Sequence, residues 1–215
     1  MIFQDPYESL NPRWTIKDII KEPLDIHNIG SLSEREEAVI EILRTVGLTP
    51  PENYLGRYPH EISGGQRQRV SIARTLVMKP KFVVCDEPTS MLDVSIRISI
   101  MDLMLNLAKE LDVSYLYITH DLAVARYMCN RIAVMFNGKI VEIAETEELL
   151  NNPVHPYTKR LISSIPVPDP SYDRKVYDIN FDELDSLIDK HGSDSPMIDI
   201  GNEHYIATHD VKGLI

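Results

Sequence analysis

The first half of the chain carries its apolar residues at the spacing of α-helices. Thr15 is a possible N-cap for a helix at residues 16–22, and apolar residues recur at helical spacing behind residues 33–36, where a serine precedes a glutamate by three positions. That pair has the sequence of a capping box, and Gly47 offers a natural end to the helix. A second box at residues 63–66 predicts another helix, which Pro80 would stop.

The second half changes to short apolar runs separated by a helical pattern. Residues 82–85 and 115–119 are predicted to be buried strands. Between them, residues 96–111 have helical spacing. The residues expected to face inward on this helix are Ile100, Leu103, Met104, Leu107 and Leu111.

A short helix and a hairpin follow. Residues 122–128 are predicted to be helical, and residues 132–136 and 139–143 flank Asn137 and Gly138, a strong signal for a two-residue hairpin turn. Strands that alternate with helices in this way predict an α/β fold with a mainly parallel sheet.

Composition narrows the classes of protein. With 215 residues, 43% of them hydrophobic, the chain can bury one sizeable core. Its net charge of −11 makes nucleic acid a poor first choice of partner, because general nucleic-acid binders carry a basic face. Two cysteines, Cys85 and Cys129, cannot build a disulfide scaffold. No run of about 18 apolar residues occurs, so no membrane-spanning helix is expected.

The negative charge is concentrated near the C-terminus. From Pro166 onward there are eleven acidic and four basic residues, and Pro168 and Pro170 add to the resistance of this region to regular structure. We place a boundary here and expect a loosely ordered acidic extension. Residues 181–188 could still form one short amphipathic helix.

Three features carry candidate chemistry, each with a plainer alternative. Asp86 and Glu87 end a predicted strand, where open α/β sheets bind ligands; one carboxylate could hold Mg²⁺ and the other polarise water, or both could simply be solvated. Gly64 and Gly65, in the first turn of a predicted helix, each lower its stability by roughly 1 kcal/mol relative to alanine. They either let a phosphate approach the helix N-terminus or belong to a plain capping loop. His120, after the next strand, could reach the same crevice or cap a helix.

The order of these features resembles the nucleotide-binding subunits of ATP-binding-cassette (ABC) transporters. Five segments resemble the motifs of that family in the family's order: the Q-loop at 3–6, the signature motif at 62–66, Walker B at 82–87, the D-loop at 90–93 and the H-loop at 118–121.

The resemblance implies a partial P-loop NTPase (RecA-like) α/β fold, with a mainly parallel sheet, an inserted helical subdomain and a C-terminal extension. Two positions depart from the usual motifs, because Ile62 replaces leucine and Met91 replaces alanine. The implied divisions are the Q-loop strand at 1–6, the helical subdomain at 7–80, the C-terminal part of the core at 81–145, an importer extension at 146–168 and the acidic tail at 169–215.

The family assigns the chemistry of ATP hydrolysis to four of these residues. The resemblance implies that Asp86 holds Mg²⁺ through water and that Glu87 is the general base for in-line attack. It further implies that Gln4 contacts Mg²⁺ and the lytic water, and that His120 contacts the γ-phosphate.

A second set of residues would act across a dimer of ATPase subunits. In the family, ATP lies between the phosphate loop of one subunit and the signature motif of the other. By that resemblance Asp93 couples the two sites, and the γ-phosphate held by the partner faces Ser63, Gly64, Gly65 and Gln66.

Three further segments, at residues 9–12, 58–61 and 155–158, resemble importers of oligopeptides and dipeptides, and nickel importers share them. The implied partners are a second ABC ATPase subunit, alike or different, membrane permease subunits and, indirectly, an extracellular solute-binding protein. The implied location is peripheral, on the cytoplasmic face of the cell membrane. Tyr7 and Trp14 are either permease-docking residues or core residues. No cysteine follows Cys129, so no iron–sulfur cluster is expected.

The 215 residues contain no G-x-x-x-x-G-K-[ST] phosphate loop, since only Gly138 precedes a lysine and no glycine lies five positions before it. We therefore expect a fragment of an ABC subunit that is inactive alone, with the apolar faces of 82–85 and 115–119 partly uncovered. Two other interpretations remain: a non-catalytic partner that lends its signature motif to another ATPase, and an ABC protein of DNA repair or translation.

Overall fold

The computed structural model describes residues 1–164 and 196–207, which fall into two compact units, Met1–His120 and Asp121–Ile215. The first unit begins with a group of helices. They are α1 (Pro6–Ser9), α2 (Ile16–Ile26), α3 (Leu32–Thr45), α4 (Glu52–Leu55), a 3₁₀ turn (Pro59–Glu61) and α5 (Gly64–Leu76).

The longer helices of this group pack through apolar side chains three or four positions apart. Ile16, Ile20 and Leu24 are buried on α2, and Leu43 and Leu76 are buried on α3 and α5. Helical spacing therefore predicted the core-facing sides of α3 and α5 correctly.

Two helix boundaries differ from the prediction. The α2 helix continues past residue 22 and contains Pro23, which the buried Leu24 follows. The capping box of α3 uses Ser31 and not Ser33: the Ser31 hydroxyl accepts from the Glu34 N–H, and the Glu34 carboxylate accepts from the Ser31 N–H. Ser33 lies inside the helix.

A parallel pair of strands completes the first unit. The strands are β1 (Phe82–Asp86) and β2 (Ser114–Ile118), and they are joined by α6 (Val94–Glu110). Ile2 forms a parallel bridge with Cys85, which places the N-terminal segment on the other side of β1. The inner face of α6 consists of Ile100, Met101, Met104 and Leu107, whereas the predicted Leu111 is exposed after the helix ends.

Part of the apolar surface of this sheet is uncovered. Phe82, Leu116 and Ile118 are exposed to 58%, 50% and 45%, while Val83 and Cys85 are buried. This agrees with the expectation of partly uncovered strand faces.

The second unit is built on an antiparallel sheet. Its described elements are α7 (Leu122–Met128), β3 (Arg131–Phe136), β4 (Lys139–Glu145), α8 (Thr146–Asn151), α9 (Pro156–Ser163), β5 (Met197–Asp199) and β6 (Tyr205–Ala207). The strand order is β3-β4-β6-β5. Asn137 and Gly138 form the predicted hairpin turn, both with positive φ. The α/β class is thus confirmed, although the larger sheet of the described residues is antiparallel.

One segment of the C-terminal region, residues 196–207, has regular structure that its composition did not predict. Residues 196–207 form the strands β5 and β6, and β6 pairs with β4 through Glu142 opposite Ile206. The expectation of a loosely ordered extension is therefore wrong for this segment. The possible helix at 181–188 lies outside the described residues. Within residues 1–164 and 196–207, no helix has the length and apolar character needed to cross a bilayer.

Candidate functional site

The carboxyl ends of β1 and β2 bring together three of the predicted site residues. His120 follows β2, and its Nδ1 lies 2.7 Å from Glu87 Oε1. The Gln4 amide donates from Nε2 to the other carboxylate oxygen, Oε2, at 3.4 Å. A carboxylate only accepts hydrogen bonds, so Nδ1 carries the shared proton when Glu87 is ionised.

These three side chains differ in their access to solvent. The Glu87 side chain is 21% exposed and the His120 ring is 76% exposed. Glu87 is thus partly dehydrated, while most of the His120 ring is in contact with solvent. A partly buried acceptor beside an exposed imidazole is suited to proton transfer at a bound ligand.

The backbone of Glu87 is in a left-handed conformation, with φ of 41°. For a residue with a side chain this costs roughly 1–2 kcal/mol, and it persists only where neighbouring groups hold it. Here the Glu87 N–H donates to the Ile118 carbonyl at 3.0 Å, and the Glu87 carbonyl accepts from the Ser90 N–H and hydroxyl. The strand end therefore turns sharply at the carboxylate.

Asp86 is the last residue of β1 and is half-buried. Its N–H donates to the Ile2 carbonyl at 2.9 Å, so the same backbone ladder positions Asp86 and the segment that carries Gln4. The two adjacent acids predicted from the sequence therefore have different surroundings. The Glu87 side chain contacts Gln4 and His120, whereas Asp86 is paired within the sheet.

The Ser63–Gln66 capping box forms as predicted. The Ser63 hydroxyl accepts from the Gln66 N–H at 3.3 Å, and the Gln66 side chain accepts from the Ser63 N–H at 3.0 Å. The first N–H groups of a helix have no partner within the helix and, with the helix dipole, favour an anion. Gly64 leaves its surroundings open, since a Cβ atom there would meet only Leu92 at 3.9 Å.

The start of α5 packs against the start of α6. A Cβ atom at Gly65 would lie 2.7 Å from Ile96 Cγ2, so the two helices approach more closely than any side chain at this position allows. Asp93 is the N-cap residue of α6, yet its side chain makes no capping hydrogen bond. The signature-like and D-loop-like segments are therefore neighbours within one unit.

Several contacts of α5 with distant parts of the first unit were not predicted from the sequence. The Arg67 guanidinium stacks 3.7 Å above the ring of the exposed Tyr7, and Arg69 donates to the Val46 carbonyl at 2.6 Å and to Ser99 at 3.0 Å. Burial lowers the pKa of Arg69. No local pattern marks such pairs, because their members lie 23 to 60 residues apart; the exposure of Tyr7 and of Trp14 excludes a core role for both.

Comparison with known proteins identifies the family of the chain. Residues 1–90 match the family model described as ABC transporter, and residues 141–187 match the model described as oligopeptide/dipeptide transporter, C-terminal region. The chain is 55% identical to the oligopeptide transport ATP-binding protein OppF of Bacillus subtilis, over 81% of this chain and 57% of that protein. It is 47% identical to the dipeptide transport ATP-binding protein DppF of Lactococcus lactis, over 100% of this chain and 68% of that protein.

Solved structures give the same result for the fold. The structure of cbiO1 from Clostridium perfringens, part of the ABC transporter complex cbiONQ, superposes with a TM-score of 0.62 at 28% identity, covering 70% of this chain and 58% of that one. The ATP-binding cassette MJ0796, in a dimeric post-hydrolysis state bound to ADP and Pi, gives 0.55 at 30% identity, covering 67% and 63%.

The chain spans 57% of the length of the Bacillus OppF and 66% of the length of the oligopeptide transport ATP-binding protein AmiF of Streptococcus pneumoniae. The match to the Lactococcus protein extends over the whole of this chain and two thirds of that relative. The chain therefore belongs to the oligopeptide/dipeptide branch of the ABC transporter ATP-binding protein family.

Proposed function

We propose that this chain belongs to an ATP-hydrolysing subunit that powers an ABC importer of oligopeptides or dipeptides. The observation that carries the proposal is the position of the Glu87 carboxylate, 2.7 Å from His120 and 3.4 Å from Gln4 at the ends of two parallel strands. Such a carboxylate can accept a proton from a water molecule that attacks a phosphate bound above the strand ends.

In this arrangement both oxygens of Glu87 already have a partner within the protein. We propose that the His120 ring leaves Oε1 when a γ-phosphate is bound and donates to the phosphate instead, which its exposure permits. Oε1 is then free to accept a proton from the lytic water. Gln4, which holds Oε2, keeps the carboxylate oriented during this exchange.

The residues beside the cluster are suited to a nucleotide with its metal ion. The Asp86 carboxylate and the Gln4 amide oxygen are the hard oxygen donors that Mg²⁺ prefers, and Mg²⁺ usually keeps several waters. Bound there, Mg²⁺ would neutralise charge on the phosphates. Ser63, Gly64, Gly65 and Gln66 would offer their helix start to ATP held by a second subunit, and Asp93 would face that subunit.

The solute and the partners are proposed from the relatives. Those relatives are described as oligopeptide and dipeptide transport ATP-binding proteins, and residues 141–187 match their C-terminal region. We therefore propose peptide uptake as the driven process, with a second ABC ATPase and membrane permease subunits as direct partners. The site of action would be the cytoplasmic face of the membrane.

The decisive experiment purifies the complex that this chain forms in the cells that make it, through a tag on the chain. ATP hydrolysis by that complex is measured for the wild type and for Glu87→Gln, which keeps the shape of the side chain and removes its basicity. We expect a loss of roughly 100-fold or more in kcat, the scale of general-base catalysis. The matched control is Glu110→Gln at the exposed end of α6, which should leave kcat unchanged.

Equal hydrolysis by wild type and Glu87→Gln would contradict the proposal. A complex that contains permease and a second ATPase but is insensitive to Glu87→Gln would instead indicate a non-catalytic subunit that supplies only its signature motif.

A further inference from the structure

The loop from Glu87 to Asp93 connects the proposed base to the D-loop and is fastened along its whole length. Its first residue is held by the Ile118 carbonyl, and Ser90 closes back onto the Glu87 carbonyl with its N–H at 3.1 Å and its hydroxyl at 3.0 Å. The Leu92 N–H then donates to the Thr89 carbonyl at 3.2 Å. Thr89 is therefore the middle anchor of this loop.

The Thr89 side chain is buried and meets a phenol from the neighbouring strand. Its exposed fraction is 3%, and its Oγ1 lies 3.2 Å from the Tyr117 hydroxyl, so that the two hydroxyls hydrogen-bond. Buried hydroxyls without a partner are costly, so this bond favours one position of the loop over others.

The end of β2 and the residues after it thus support the proposed hydrolytic residues at three points. Tyr117 fixes the loop at Thr89, Ile118 fixes the backbone of Glu87, and His120 contacts the Glu87 carboxylate. We infer that Tyr117 is a positioning residue, whose hydroxyl holds the loop that carries Glu87 in register with His120. The inference rests on the proposed function for its kinetic consequence, but its geometric part stands on the contacts alone.

The Tyr117 hydroxyl matters because the loop that it holds includes Glu87, whose backbone is strained. A left-handed residue relaxes when the surrounding bonds that hold it are weakened. Without the Tyr117–Thr89 bond the loop loses its side-chain contact with β2 at Thr89, and the Glu87 carboxylate is held less closely in position beside His120. Small displacements of a base mainly reduce the rate of the chemical step, whereas nucleotide affinity depends on other groups.

The test uses Tyr117→Phe, which keeps the ring and removes only the hydroxyl. The matched control is Tyr115→Phe on the same strand, where the hydroxyl is buried and has no hydrogen-bond partner among the described residues. In NMR spectra of the full chain, Tyr117→Phe should shift the imidazole resonances of His120 and the amide resonances of Glu87 and Asp93. Tyr115→Phe should leave all three in place. Unshifted resonances in Tyr117→Phe would overturn the inference.

The kinetic arm uses the purified complex. Tyr117→Phe should lower kcat about tenfold with KM unchanged, because one hydrogen bond of roughly 1.4 kcal/mol corresponds to a factor of ten. Thr89→Val should lower kcat by a similar factor, because it removes the other hydroxyl of the same bond. The double variant should lose no more kcat than either single variant, and Thr89→Ser, which keeps a hydroxyl, should have the wild-type kcat. Additive losses, or a tenfold loss in Tyr115→Phe as well, would overturn the positioning role. If Glu87→Gln has no effect on hydrolysis, the proposed function fails, and the resonances alone decide whether Tyr117 holds the loop.

Discussion

Two phenols that lie two residues apart on β2 have opposite surroundings. The hydroxyl of Tyr117 is bonded to Thr89, whereas the buried hydroxyl of Tyr115 has no partner within the described part of the chain. Burial, with the nearby Cys85, raises the pKa of Tyr115 well above its ordinary value of 10.0. The same residue type therefore supports the fold at one position and weakens it at the other.

Tyr115→Phe should increase the free energy of unfolding by about 1 kcal/mol at neutral pH, because the desolvation cost of an unpaired hydroxyl disappears. The folded-state pKa of Tyr115 is raised, so its unfolded state ionises first, and wild-type stability falls as the pH rises through 10.0. The advantage of Tyr115→Phe should therefore widen above that pH. Urea denaturation at pH 7 and above pH 10 measures both effects; an advantage that stays constant across this range would contradict the raised pKa.

The N-terminus of α3 offers a comparison between two serines. Ser31 closes the capping box, whereas Ser33 lies within the first turn. Ser31→Ala should lower the free energy of unfolding by about 1 kcal/mol. Ser33→Ala should change it little, because alanine is the better helix former. Thermal denaturation of both variants measures the difference, and equal effects would show that the box does not stabilise the helix.

The same box predicts a dependence on pH. Hydrogen bonds from the backbone and side chain of Ser31 lower the pKa of Glu34 below its ordinary value of 4.5. The contribution of the ionised carboxylate is thus complete above pH 4.5 and is lost as the pH falls through the lowered folded-state value. Glu34→Ala should accordingly destabilise the chain at pH 7 and much less at pH 3, in the same denaturation experiment.

Substitutions of the two adjacent glycines at the start of α5 should have different effects, one on stability and the other on ATP hydrolysis. A methyl group at Gly64 has room, whereas at Gly65 it would lie 2.7 Å from Ile96. Gly65→Ala should therefore lower the free energy of unfolding by roughly 1–3 kcal/mol through overpacking. Gly64→Ala should keep or raise it, while reducing hydrolysis by the purified complex if ATP approaches this helix start. A greater loss of stability in Gly64→Ala than in Gly65→Ala would contradict the packing described here.

Element identity was predictable wherever a local period or cap specified it. The spacing of apolar residues predicted α3, α5 and α6, and the Asn137–Gly138 pair predicted the hairpin between β3 and β4. Boundaries were harder to predict from the sequence, since helix α2 continues through Pro23, although a proline inside a helix removes one hydrogen bond. Likewise, motif order placed Glu87 and His120 on adjacent strand ends, but nothing local in the sequence predicts the bond between Thr89 and Tyr117, 28 positions apart.

At the scale of the whole molecule, the second unit includes two strands from the acidic C-terminal region. Acidic composition suggested that the C-terminal region would be loosely ordered, yet β6 adds to the sheet beside β4. The connection is made by a buried carboxyl group: Glu142, on β4, accepts from the Val154 and His155 N–H groups, and its Oε1 lies 2.7 Å from His204 Nε2. A glutamate with apolar residues on both sides, Val141 and Ile143, was a signal available from the sequence, although its partner 62 residues later was not.

Glu142→Gln tests whether this buried carboxylate fastens the C-terminal hairpin. Glu142 and His204 are 0% and 2% exposed, so an amide there would direct its NH₂ group at a neighbouring donor and leave it unsatisfied. Leaving a buried polar group unsatisfied costs about 1–3 kcal/mol, and that loss should appear first as faster hydrogen exchange at Tyr205 and Ile206 on β6. Glu147→Gln, at an exposed ion pair with Arg126, is the matched control and should leave exchange there unchanged. If Tyr205 and Ile206 stay protected in Glu142→Gln, backbone pairing with β4 and β5 alone holds the hairpin, and the carboxylate serves only the start of α9.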